Sequence, residues 1–207
     1  AFYNWGNDLG ALAARTWEPA PAAARQLFDQ AFAKYARATE IKPDMHEAFN
    51  NWGANLFLCA RRSRKIGATV EADQMGLEAA NKFDLAARIH PEGAERYWVA
   101  ALPLLEVAAS TGNTELAKRA KLLATSNAES LKSPLTTFTL ALAHVLSGDR
   151  KSAEEIIRKL EVSADRKEWL DPFLTDSMLA PKLRALIESI REPKKDVAPR
   201  RPRRKRK

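Results

Sequence analysis

The sequence predicts an all-α chain built from stacked helical hairpins. Three observations carry this expectation. Ala and Leu, both strong helix formers, recur throughout, whereas glycine occurs only 8 times in 207 residues. Apolar side chains return three and four positions apart, which places them on one face of a helix. Two separated blocks of sequence also recur in the same order at nearly the same distance, the signature of a repeat architecture.

The first block, Phe2-Tyr3-Asn4-Trp5-Gly6, returns 47 residues later as Phe49-Asn50-Asn51-Trp52-Gly53. Phe2, Trp5 and Leu9 form a helical stripe, and Gly6 beside them lets a neighbouring helix approach closely. In the second block, Ala31, Tyr35, Ala38, Ile41 and Pro43 return 48 residues later as Ala79, Phe83, Ala86, Ile89 and Pro91. Ala31, Tyr35 and Ala38 make a small-large-small stripe in which the aromatic ring fills the space between two helices. Pro43 and Pro91 close one hairpin and open the next, where a missing N–H costs nothing.

These blocks resemble the tetratricopeptide repeat: a bulky residue and Gly in the first helix, Ala-aromatic-Ala in the second, and Pro at the end. That family's repeat is about 34 residues long, whereas the first two units here run 47 to 48. The surplus falls around residues 15–24 and 61–73 and is expected to lengthen the helices, with breaks at Trp17-Glu18-Pro19-Ala20-Pro21 and at Gly67. The hairpins then read as about 1–43, 44–91, 92–132 and 133–162.

The third unit starts at Tyr97, Trp98 and Ala101, turns at Thr111-Gly112-Asn113-Thr114, and continues through Leu116, Ala117, Ala120 and Leu123. Pro103 is expected to kink its first helix. The fourth runs from Pro134 through Leu140, Ala141 and His144, turns at Ser147-Gly148-Asp149, and continues through Ala153, Ile156, Ile157 and Leu160. Residues 163–191, with Trp169 to Leu174 and an amphipathic run after Pro181, read as a cap over the last apolar face. From 192 to 207 the chain is Pro- and charge-rich and is expected to be disordered.

Charge is distributed unevenly. Pro193 to Lys207 hold nine Lys or Arg and one Asp, which accounts for the whole net charge of +8 and leaves the body electroneutral. A basic nucleic-acid-binding body is therefore not indicated. The tail Arg200, Arg201, Arg203, Arg204, Lys205, Arg206 and Lys207 offers a contact for nucleic-acid phosphates or an anionic membrane surface, and in a eukaryote fits a nuclear import signal. The run Arg61-Arg62-Ser63-Arg64-Lys65 reads as cations at a helix C-terminus, with an acidic partner as the alternative.

The sequence shows no run long enough to span a bilayer, no leader pattern and one cysteine, Cys59, so a cytoplasmic location is expected. The chain begins at Ala1, directly in a repeat motif, and is expected to be a fragment. Cys59 lies in an apolar run and reads as a small buried hydrophobe. His46, His90 and His144 have no ligand spacing, so no metal is expected. No phosphate loop or nucleophile motif appears, so neither catalysis nor a cofactor is expected.

The resemblance implies an α-solenoid whose first helices line a concave groove for a partner peptide or helix. Asn4, Asn7, Asn50, Asn51 and Asn55 are the groove candidates, because an amide can both donate to and accept from a peptide backbone. Asn7 and Asn51 also match the Asn places of the family's clamp for a C-terminal carboxylate. Tyr3, Glu95 and Val99 stand where that clamp has Lys or Arg, so Tyr3, Arg96 and Trp98 are expected to supply aromatic or cationic contacts instead. The alternative is a nucleic-acid-associated factor acting through its basic tail.

Overall fold

The structure, a computed structural model, describes residues 1–91, 100–128, 134–161 and 177–191. Among them the fold is all-α, with nine helices and no strand. They are α1 (Phe2–Thr16), α2 (Pro21–Ile41), α3 (His46–Lys65), α4 (Thr69–Ile89), α5 (Ala101–Thr111), α6 (Thr114–Ala128), α7 (Pro134–Leu146), α8 (Arg150–Glu161) and α9 (Ala180–Arg191).

Each helix packs on its chain neighbour, most extensively α1 on α2 and α3 on α4. α3 also lies against α1 and α2, α5 against α4 and α7, and α9 against α8. The surplus residues of the first two units extend helices, so that α1 to α4 run 15, 21, 20 and 21 residues. Pro21 opens α2, where its fixed φ suits the first turn. Gly67, Gly112 and Gly148 take φ of +88°, +71° and +88° in the turns that end α3, α5 and α7. Only glycine enters this left-handed region freely.

α5 as described begins at Ala101, with Pro103 two residues on; Tyr97 and Trp98, from which the expected kink was read, lie outside the described residues. Asn113 starts α6 by accepting the Glu115 and Leu116 amides at 3.0 and 3.3 Å. Asp149 starts α8 by accepting the Ser152 amide at 3.2 Å. Both satisfy donors that a helix start leaves open.

Two apolar clusters form the core. One joins α1 to α4 through Trp17, Phe28, Leu56, Met75 and Phe83. The other joins α5 to α9 through Leu105, Phe138, Leu142, Ile157 and Leu183. Cys59 belongs to the first and is buried, which pushes its thiol up to about 11. The repeat recurs in the packing: a Cβ on Gly6 would meet the Tyr35 ring at 2.9 Å, and one on Gly53 would meet the Phe83 ring at 3.1 Å. No helix of the described residues is long and apolar enough to cross a membrane.

Candidate functional site

Sequence places Asn on α1 and α3 at positions where helix interiors disfavour it, and the fold gives those amides a common partner. Tyr35 reaches from α2 with its side chain fully buried. Its hydroxyl donates to Asn7 Oδ1 at 2.8 Å and accepts from Asn55 Nδ2 at 3.2 Å. Asn51 Nδ2 donates to Asn7 Oδ1 and to the Tyr3 hydroxyl, both at 3.0 Å. Asn50 Nδ2 donates to Asn51 Oδ1 at 3.3 Å, and Asn55 Nδ2 also reaches the Asn51 carbonyl at 2.9 Å. Gly10 leaves the room that the Asn55 amide occupies; a Cβ there would collide with it. Burial raises the Tyr35 phenol above its ordinary value, so it stays neutral and keeps its donor.

Tyr3, Asn7, Asn50, Asn51 and Asn55 are thus brought together along the line where α1 meets α3, all half-buried. Asn4 stands apart and is exposed. Arg96, Trp98 and the tail residues Arg200 to Lys207 lie outside the described residues. The hub of the network is Tyr35, which sequence reasoning treated only as a packing ring. The signal that identifies it is a comparison of repeats: Phe83 stands at the equivalent place, so the hydroxyl belongs to the first unit alone.

A second repeated feature flanks the network. Lys34 Nζ lies 3.7 Å from the Trp5 ring centroid, and Lys82 Nζ lies 3.4 Å from that of Trp52. Both ammonium groups face the negative face of an indole. Burial lowers the Lys82 pKa, opposed by Glu78 at 3.7 Å. The Trp52 indole N–H is buried without a hydrogen-bond partner among the described residues.

The arginine run ends α3, with Arg62, Arg64 and Lys65 in its last turn as expected, and two of its members also pair with acidic side chains inside the protein. Glu106 of α5 is 2% exposed and takes Arg61 Nε at 3.2 Å and Arg64 Nη1 at 3.1 Å. Arg64 Nη2 also pairs with Asp73 at 2.5 Å, and Asp73 accepts from the Ser110 hydroxyl at 2.9 Å. The Ser177 hydroxyl donates to Glu106 at 3.1 Å, tying the segment ahead of α9 to α5. Burial raises the Glu106 pKa, partly offset by Arg61 and Arg64. Arg62 donates to the Ala14 carbonyl at 2.7 Å and lies over Trp17.

The histidines are placed as follows. His46 and His90 are half-buried, and their rings lie 4.4 Å apart. His144 Nδ1 is 2.9 Å from Asp149 Oδ2. Among the described residues no three His, Cys, Asp or Glu side chains gather as a metal site requires. Compared with known proteins, the chain matches no family model and no curated protein.

Proposed function

We propose that the chain is a protein-interaction scaffold: an α-solenoid of antiparallel hairpins of the tetratricopeptide kind, holding a partner peptide or helix along its first helices without catalysis. The observation that carries this reading is the half-buried row of Tyr3, Asn7, Asn50, Asn51 and Asn55 between α1 and α3. The network fixes the rotamers of these side chains, so little entropy is lost when a ligand docks. Asn4, outside the network, offers an exposed amide one turn ahead of Asn7 on α1. Amides suit a peptide backbone because they supply donors and acceptors without selecting side-chain charge.

The test leaves Tyr35, Asn7, Asn51 and Asn55 in place, because changing them alters packing as well as any binding, whereas Asn50 gives the network a single bond at 3.3 Å. A display library of extended peptides is selected against the full chain. The best binder is then titrated against Asn4→Ala with Asn50→Ala. A Kd at least about tenfold weaker, some 1.4 kcal/mol, supports the reading. An unchanged Kd, or a library that yields no binder, contradicts it.

A further inference from the structure

In the C-terminal half of the chain, the end of α7, its turn into α8 and the first turns of α9 border a cavity of about 290 Å³. Val145, Gly148, Arg150, Lys182, Ala185 and Leu186 line it. That volume falls near the lower end of small-molecule sites, which run from roughly 300 to 1,000 Å³. Val145 and Leu186 carry the C-terminal apolar cluster out to the cavity wall. Gly148 stands at φ +88°, and a Cβ added to it would meet nothing within 4 Å. On that side the wall is bare backbone.

The charges that line this cavity have one sign. None of the six residues is acidic, and Arg150 and Lys182 are cations. Lys182 forms no ion pair among the described residues. Arg150 pairs with Glu154 at 3.1 Å, but its side chain stays 63% exposed. An exposed pair of this kind adds little stability, so the guanidinium is free to take a better acceptor. Asp149, the carboxylate next to Arg150, is engaged by His144 at 2.9 Å and by the Ser152 amide at 3.2 Å. An apolar wall with two cations beside it complements a molecule that is apolar at one end and anionic at the other. A carboxylate suits the anionic end, because the guanidinium fork donates to both of its oxygens.

We propose that this cavity binds a carboxylate carried on a short apolar group, with the apolar part against Val145, Ala185 and Leu186 and the carboxylate between Arg150 and Lys182. The test is a titration of the full chain with hexanoate, read by NMR at the Gly148 amide. Hexanol and inorganic phosphate, each lacking one half of the ligand, are the controls. The expected result is a saturable shift, with hexanoate held at least about tenfold more tightly than either control. Arg150→Gln and Lys182→Gln should each weaken it at least about fivefold. Ala185→Leu, at an exposed position of α9, fills the cavity and should abolish it. Circular dichroism checks that each variant keeps its helix content. Acetyl-leucine, run beside its amide, separates two sources of the carboxylate. Tighter binding of that acid than of hexanoate assigns the site to the end of a peptide chain, and weaker binding assigns it to a free acid. No saturable shift from either acid, binding that a control matches, or binding indifferent to the three substitutions overturns the proposal.

Discussion

At the scale of single residues, buried polar groups decide more than their number suggests. Tyr35 and Phe83 occupy equivalent places, so Tyr35→Phe keeps the ring packing and removes only the hydroxyl. Asn7 and Asn55 each lose a partner, and the expected loss is about 1–3 kcal/mol, read from urea denaturation of the variant. Glu106→Gln is expected to cost at least as much, about 3 kcal/mol, because the half-buried Arg61 loses its counter-charge and Arg64 keeps only Asp73. Asp149 adds a pH dependence. Hydrogen bonds from the Ser152 hydroxyl, from His144 and from the Ser152 amide lower its pKa to about 2. A depressed carboxylate stabilises the fold above its unfolded pKa and loses that contribution as pH falls through the folded value. Acid unfolding of Asp149→Asn should therefore lack a component that the parent chain loses between about pH 4 and 2.

At the scale of elements, turn chemistry and helix periodicity did most of the work. Gly112 ends α5 at φ +71° with open space around the site of a Cβ. Gly112→Ala should cost about 1 kcal/mol through backbone strain alone, and thermal unfolding would show it. The helix pairs, the breaks at Trp17 and Gly67 and the turns at Gly112 and Gly148 were legible because each rests on local signals. The arginine run was placed at the end of α3, but its acidic partners within the chain were not legible. Its partner Glu106 lies more than 40 residues away, and an isolated acidic residue in the apolar stretch around Leu104 and Val107 gives no hint of what it faces. The Asn residues were recognised as a set from their rarity in helices, but Tyr35 became their hub only once α2 was placed behind α1 and α3.

At the scale of the whole molecule, the chain divides its charge and its packing between different regions. The electroneutral body carries the two apolar clusters, and the basic residues concentrate after Pro193. The proposed binding along the first helices and the alternative binding through the tail respond differently to salt. Contacts made by hydrogen bonds along α1 and α3 change little with ionic strength, whereas phosphate contacts made by a basic tail weaken steeply as counterions compete. The most direct test is the affinity of a selected peptide for the full chain and for a chain ending at Glu192, each at low and high salt. The account predicts the same Kd for both chains and little change with salt. Binding that disappears with the tail, or collapses as salt rises, would contradict it and make the basic end the functional part.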